Sequence, residues 1–208
     1  MSMNVDQQTD TLFNVNLHGI HDILTTVTFT GADVESWLRE VLHVHRRHLR
    51  NLIVGLDCEW RPNRRPGESN PVAILQLCIG RRCLLFSLVH ADSIPGALLN
   101  FLADPQFTFV GVGIDGDVEK LLHDWELSVS NAIDLRDLAA DKTGRQEMKH
   151  KGLAGIAEVV MGFVPKKAKR VTMSDWARQY LTLEQIGYAC ADAFLSFEIG
   201  RRLLSDQF

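Results

Sequence analysis

A chain of 208 residues is long enough for one domain, and a composition of 46% hydrophobic and 23% charged residues excludes a disordered or fibrous protein. The formal net charge of -4 excludes attraction of the whole molecule to a polyanion, so any nucleic acid would have to meet a local basic patch. Because the N-terminus is polar and no stretch of 18 apolar residues occurs, we expect a cytoplasmic protein without membrane contact, the nucleus being the alternative.

Apolar periodicity predicts strands and helices that alternate along the chain. In chain order the pattern predicts a strand at 24–31, a helix at 32–49, strands at 52–60, 72–80 and 83–88, an apolar segment at 95–103, a strand at 107–114, a helix at 117–126, a strand at 131–135 and helices at 152–162 and 182–204. The three neighbouring strands form a meander, and the later alternation implies partly parallel pairing. We therefore predict an α/β fold with a mixed sheet flanked by helices.

Two carboxylates lie at the end of the predicted strand "LIVGLDCEW", with one residue between them. Because successive side chains of a strand point to opposite faces, Asp57 and Glu59 share one face and Cys58 points to the other. Two carboxylates at this spacing resist joint ionisation unless a cation neutralises them. Oxygen ligands suit Mg²⁺ or Mn²⁺, whereas zinc would recruit His or Cys. The pair alone is a weak signal, because acids at a strand end are often only solvated.

Two other segments supply further candidate ligands. In "IGYACADAF", within the last predicted helix, Tyr188 and Asp192 are four residues apart and hence lie on one face, although an ordinary surface pair would look the same. In "FVGVGIDGDVEKLL" a strand breaks at two glycines and a helix begins near Asp117. The helix dipole would favour Asp117 there without any metal, and Asp115 could be the N-cap. The residues by themselves leave the choice between these two acids open.

The segments "DCEW", "GVGIDGD" and "SDWARQYLTLEQIGYACADA", in this order, resemble the DEDDy group of 3′-5′ exonucleases, which have the DnaQ-like, ribonuclease H-like fold. Within that group the chain is most similar to the Werner-syndrome exonuclease-like branch. The resemblance covers about residues 50–205. We therefore expect one 3′-5′ exonuclease domain over residues 1–208, in which a strand-helix extension precedes the core.

The resemblance implies the site residues by position. It places Asp57 and Glu59 in the first motif, Asp117 in the second, and Tyr188 and Asp192 in the third, and so resolves the choice in the second motif. In the family's scheme the four acids hold two Mg²⁺ or Mn²⁺ ions per active site, which stabilise the attacking and leaving oxygens. Tyr188 would orient the attacking water, because a phenol with a pKa of about 10 is a poor general base. No organic cofactor is implied.

A short chain without helicase or polymerase appendages resembles, among the branches, the plant RISC-interacting clearing 3′-5′ exoribonucleases. This resemblance implies degradation of single-stranded RNA to nucleoside 5′-monophosphates in RNA-mediated gene silencing. It also implies a homo-oligomeric ring, such as a hexamer, and Argonaute or other RISC proteins as partners. Two alternatives stay open: a Werner-like 3′-5′ exonuclease directed at DNA, and a non-catalytic oligomeric scaffold that binds nucleic acid.

Trp60 and the basic run "KKAKR" at 166–170 are candidates for substrate contact. Trp60 directly follows the acids and could stack on the terminal base, a contact worth about 1–3 kcal/mol in single-strand binders. A core aromatic residue beneath the strand is an equally good interpretation. Lys166, Lys167 and Lys169 could neutralise phosphates of the incoming strand, although a solvated surface run explains them as well.

Overall fold

The computed structural model describes residues 3–17, 19, 21–163 and 169–208. Within these residues eight strands form one mixed sheet in the order β1-β2-β3-β6-β5-β4-β7-β8. The strands are β1 (Met3–Gln7), β2 (Leu12–Leu17), β3 (His21–Thr28), β4 (Ile53–Trp60), β5 (Val72–Ile79), β6 (Arg82–Ser87), β7 (Thr108–Gly111) and β8 (Ala132–Asp134). The α-helices are α1 (Gly31–Val44), α2 (Gly96–Ala103), α3 (Ile114–Trp125), α4 (Leu135–Thr143), α5 (Leu153–Met161), α6 (Lys169–Thr172) and α7 (Leu183–Leu204). The predicted α/β class with a mixed sheet is confirmed.

The pairing of the strands brings several chain segments to one edge of the sheet. β4 pairs antiparallel with β5 and parallel with β7, and β7 pairs parallel with β8. β5 pairs antiparallel with β6, which in turn pairs parallel with β3. The carboxyl ends of β3, β4, β6, β7 and β8 therefore lie at the same edge. The acids that end β4 are at this edge, and so is the turn that leads from β7 into α3.

Side chains alternate between the two faces of β4, as the sequence predicts. Val54, Leu56 and Cys58 belong to an apolar cluster that also contains Trp37 of α1 and Leu121 of α3. The opposite face of the sheet is covered by α7, which contributes to a second apolar cluster with side chains of β2, β3, β5 and β6. The two carboxylates of β4 therefore face α7.

The long helix α7 begins with a capping box and packs closely on β4. The Thr182 hydroxyl accepts a hydrogen bond from the Gln185 backbone N–H (3.2 Å), and the Gln185 side chain accepts one from the Thr182 backbone N–H (3.0 Å). Gly55 permits the close packing, since a Cβ there would overlap the Ala193 carbonyl oxygen and lie 2.6 Å from the Phe197 nitrogen. Neither α7 nor any other helix among the described residues is both long and apolar enough to cross a membrane.

The N-terminal region differs from the predicted strand-helix extension. Two further strands, β1 and β2, precede β3 and extend the sheet by antiparallel pairing. β1 has the sequence MNVDQ, of which only Val5 is partly shielded from solvent, because β1 is the outermost strand. With only two apolar residues, Met3 and Val5, the strand is too short in alternation for the sequence to reveal it.

Several element boundaries also differ from the prediction. α1 ends at Val44 rather than at residue 49, and Leu49–Asn51 form a short 3-10 helix instead. The strand predicted to reach residue 114 ends at Gly111, because Gly113 adopts a φ of 75° and α3 begins immediately after it. The pattern does not predict α4, whose sequence LRDLAADKT carries charged residues through most of its length.

Replacement of Gly55 by Ala is expected to lower the free energy of unfolding by about 3 kcal/mol or more, because the added methyl group must displace the backbone of α7. Chemical denaturation of the two proteins measures the difference. Gly96→Ala is the matched control, since a Cβ at the first residue of α2 meets no atom within 4 Å. Equal stability of Gly55→Ala and wild type would contradict the close packing of α7 on β4.

Candidate active site

Three of the predicted site acids meet where α7 crosses the end of β4. Asp57 and Glu59 come from β4 and Asp192 from α7, and one carboxylate oxygen of each lies within 4.8 Å of the others. The two acids of β4 share a face because they are two residues apart on a strand. Asp192 reaches them because α7 lies against the same face at Gly55. Residues 135 positions apart in the chain thus form one acidic cluster.

The structure brings Asp117, and not Asp115, to this cluster. Asp117 lies in the first turn of α3 and is only 7% exposed, whereas Asp115 points into solvent. The charge of Asp117 acts on Asp57, although its oxygens lie outside the tight group of three. Burial, followed by the charge of Asp134, raises the pKa of Asp117 to about 7. Four carboxylates therefore surround the carboxyl end of β4.

Asp57 is repelled by all three of the other acids. Burial raises its pKa well above the ordinary value, and the charges of Asp192, Asp117 and Glu59 raise it further. A hydrogen bond from the Cys58 backbone favours the charged form but does not offset these effects. Ionisation of Asp57 is therefore unfavourable unless a cation is bound at the site.

Two basic side chains near the acids, within the part of the chain that the structure describes, are paired with other carboxylates. Lys120 contacts Asp124 at 2.9 Å, and Arg136 contacts Asp134 at 2.6 Å. A set of carboxylate oxygens converging at one point, without nitrogen or sulfur ligands, is the donor set that Mg²⁺ and Mn²⁺ prefer. The acidic cluster fits such cations.

Tyr188 lies one helical turn before Asp192 on α7 and is 7% exposed. Its hydroxyl is hydrogen-bonded to Asp192 and Thr172, and its ring packs against Trp176 with 6.0 Å between the ring centroids. Burial, and then the charge of Asp192, raises the pKa of Tyr188 well above its ordinary value. The phenol therefore keeps its proton at neutral pH and acts as a hydrogen-bond donor.

Sequence reasoning missed Asp134, which fixes the start of α3. Its carboxylate accepts a hydrogen bond from the Gly113 backbone N–H (3.0 Å), caps α4 through the Arg136 N–H (2.8 Å) and binds the Arg136 guanidinium. These contacts hold the turn from which Asp117 projects. An acid at the end of a strand, directly before a helical segment, is an N-cap signal that could have marked Asp134.

The predicted substrate contacts stay predictions. Trp60 is partly exposed, packs against the cluster that contains Cys58 and has the Lys120 ammonium 5.4 Å from its ring centroid. Lys166 and Lys167 lie outside the described residues. Lys169 begins α6, but its side chain is also outside them.

A cavity of about 740 Å³ lies at the same edge of the sheet but apart from the acids. It is lined by residues of β2, β3 and the segment 178–183 that leads into α7, and none of the four acids lines it. The acidic cluster is therefore separate from this cavity.

Comparisons with known proteins show the family to which the chain belongs. The profile of a family described as "3'-5' exonuclease" matches residues 27–206, and the chain belongs to this family. A protein of Arabidopsis thaliana named "3'-5' exonuclease" is 35% identical over 180 residues, which cover 85% of this chain and 62% of that protein. The mouse bifunctional 3'-5' exonuclease/ATP-dependent helicase WRN is 34% identical over 152 residues, which cover 73% of this chain and 11% of that protein. The chain thus spans less than two thirds of these relatives.

Solved structures share the fold. Escherichia coli RNase D, an exoribonuclease involved in structured RNA processing, superposes with a TM-score of 0.71 at 22% identity, covering 88% of this chain and 45% of that chain. The EXD2 exonuclease domain soaked in Mg and GMP gives a TM-score of 0.52 at 28% identity, covering 87% of this chain and 89% of that chain. The ribonuclease H-like fold expected from the resemblance is therefore confirmed.

In EDTA at pH 8, Asp57→Asn is expected to raise the free energy of unfolding by about 1–3 kcal/mol, because the amide removes one charge from a cluster of like charges. The raised pKa of Asp57 means that the folded protein holds this proton more tightly than the unfolded chain. Its contribution to stability is therefore complete below the ordinary pKa and is lost as the pH rises through the raised value. The advantage of the variant should shrink at pH 5.

Guanidinium denaturation at the two pH values measures this difference, and the comparison with wild type cancels the titration of acids outside the cluster. Addition of Mg²⁺ or Mn²⁺ at pH 8 should stabilise the wild type and leave the variant nearly unchanged. A wild type that is the more stable protein in EDTA at pH 8 would show that the four acids do not repel one another as described.

Proposed function

We propose that this chain, as a member of the 3′-5′ exonuclease family, is a metal-dependent 3′-5′ exonuclease that removes nucleoside 5′-monophosphates from single-stranded RNA. The observation that carries the proposal is the convergence of Asp57, Glu59, Asp117 and Asp192 at one edge of the sheet. These acids come from three distant segments and repel one another. Such an arrangement is expected where the function requires bound cations beside a phosphodiester.

The four acids, with Tyr188, correspond to the DEDDy pattern. Asp57, Glu59 and Asp192 would hold one Mg²⁺ or Mn²⁺ ion, and Asp57 with Asp117 a second. When bound, the two ions supply charge stabilisation at the attacking and leaving oxygens of the scissile phosphate. The EXD2 exonuclease domain, which was soaked in Mg and GMP, supports both the cation and a nucleoside monophosphate as product.

Tyr188 positions the attacking water rather than deprotonating it. Its raised pKa keeps the proton on the phenol, and its hydroxyl is held by Asp192 and Thr172 at the acidic cluster. A fixed donor next to the acids can orient a water toward the 3′-terminal phosphate. The proton of that water would pass to solvent or to a carboxylate, because a protonated phenol cannot accept it.

RNA is the proposed substrate because the chain resembles the plant RISC-interacting clearing exoribonucleases. The same proposal includes a role in small-RNA pathways in the cytoplasm, with Argonaute or other RISC proteins as partners. It also includes a homo-oligomeric ring, which the unshielded edge strand β1 supports as a surface for contact. DNA is the second candidate substrate, supported by the similarity to the mouse WRN protein.

Asp57→Asn and Asp117→Asn are each expected to lower kcat on a single-stranded oligonucleotide with Mg²⁺ by at least about 10³-fold, because the acids act as one charged unit. Tyr188→Phe should lower kcat less, by about 10–100-fold, since it removes only a positioning hydrogen bond. A 5′-labelled oligonucleotide resolved on a denaturing gel reports a ladder shortened from the 3′ end.

Asp115→Asn is the matched control for Asp117→Asn, because it removes an exposed acid two residues away on the same helical turn. Its rate should equal that of wild type, and EDTA should abolish degradation. If wild type binds the oligonucleotide but releases no monophosphate with Mg²⁺ or Mn²⁺, the chain is a non-catalytic binding protein and the proposed activity is wrong.

RNA is expected to be degraded with a kcat/KM at least about tenfold above that of DNA of the same sequence, provided that the 2′-hydroxyl is recognised. Parallel time courses on matched single strands measure the ratio. A mixed strand with one deoxynucleotide at the 3′ end tests whether the terminal sugar decides it. Preference for DNA would overturn the RNA assignment and leave the Werner-like alternative.

A further inference from the structure

A buried amide without a hydrogen-bond partner lies beside Asp57 on the neighbouring strand. Gln76, in the middle of β5, is 0% exposed, and neither its Nε2 nor its Oε1 has a partner in the part of the chain that the structure describes. Leu75 and Leu77 belong to the cluster under α1, so Gln76 points to the face covered by α7. Burial of an unpaired amide destabilises a folded protein, so this residue requires a reason other than packing.

The register of the sheet places this amide next to Asp57. Gln76 is directly opposite Asp57 in the antiparallel pair of β5 and β4. Opposite side chains in such a pair share a face, with Cβ atoms about 4.5–5.5 Å apart. On its other side Gln76 is opposite Leu85 of β6, which offers no hydrogen-bonding group. Asp57 is therefore the polar side chain next to Gln76 across the strands.

An amide suits this position where other residue types do not. A lysine or arginine would form an ion pair with Asp57 and compete with a divalent cation, and a glutamate would add one more like charge. A leucine would pack well but would offer no donor. A glutamine supplies N–H donors without changing the charge of the acidic cluster.

We propose that Gln76 is a positioning residue for Asp57. The inference rests on the proposed function: when divalent cations hold the acids together, Gln76 Nε2 donates a hydrogen bond to one carboxylate oxygen of Asp57 and fixes its orientation. Groups that orient a ligating side chain in this way typically contribute 10–100-fold to metal affinity. The unpaired amide is thus retained at the expense of stability in the protein without metal.

Gln76→Met tests the proposal because Met nearly matches the length of Gln and lacks the amide, and Gln76→Leu serves as a second apolar variant. Ser87→Ala is the matched control. Ser87 also has a buried hydroxyl without a hydrogen-bond partner in the described part of the chain, but it is opposite Ile74 rather than an acid. The measurements are the melting temperature in EDTA and the Mn²⁺ affinity, followed by electron paramagnetic resonance of free Mn²⁺ without any nucleic acid.

Gln76→Met should melt about 2–6 °C above wild type in EDTA, because an apolar side chain replaces an unpaired amide. It should bind Mn²⁺ about tenfold or more weakly, and its kcat at limiting Mn²⁺ should fall while the KM for the oligonucleotide stays constant. Ser87→Ala should melt no lower than wild type and keep the Mn²⁺ affinity and kcat of wild type.

Wild-type Mn²⁺ affinity in both Gln76 variants would overturn the proposal. If the variants also melted below wild type in EDTA, the amide would have a structural role instead. Absence of Mn²⁺ binding by wild type would overturn it too. A wild type that binds Mn²⁺ but degrades no nucleic acid would refute the exonuclease activity alone, because the affinity measurement involves no substrate.

Discussion

Carboxylates whose oxygens lie within 4.8 Å of one another repel strongly, so the surrounding fold has to keep them together. The packing of α7 on the sheet supplies the restraint. Gly55 allows the helix backbone to touch β4, and Gly200 allows a similar approach further along, where a Cβ would lie 2.7 Å from Val110. Apolar clusters on both faces of the sheet then fix strand and helix. The core of the protein therefore holds like charges together, at a cost in stability that a bound cation would remove.

The distribution of charge around the acids follows the same logic. Lys120 and Arg136 are bound by Asp124 and Asp134, so these cations stabilise the ends of elements rather than the acidic cluster. Had either of them paired with Asp57, the cluster would carry less negative charge and a divalent ion would have to displace an internal ion pair. The edge of the sheet thus contains acids of two kinds. Asp124 and Asp134 pair with these two cations, whereas Asp57, Glu59, Asp117 and Asp192 converge at the end of β4.

The parts of the site that local rules determine could be predicted from the sequence, whereas those that depend on distant contacts could not. Alternation along β4 and the spacing of four residues on α7 fix the relative directions of neighbouring side chains. The choice of Asp117 over Asp115 depends instead on where α3 begins, which the φ of Gly113 and the bond from its N–H to Asp134 decide. The strand β1 could not be predicted from the sequence, because most of its side chains are exposed and its apolar pattern is short. The apolar run of β5 predicts a buried strand, but not that its single amide, Gln76, would lack a partner.

Two of the polar side chains beside the acids, Tyr188 and Gln76, are neutral. Tyr188 keeps its proton because burial and the charge of Asp192 raise its pKa, and Gln76 cannot ionise at all. Neutral donors can orient a carboxylate or a water without cancelling the charge that attracts a cation. A cationic side chain in either place could also orient the acids, but it would lower the affinity of the site for a divalent cation. Orientation by neutral groups therefore leaves the negative charge of the acids available to a divalent cation, and loss of such a group is expected to weaken cation binding without changing the charge of the site.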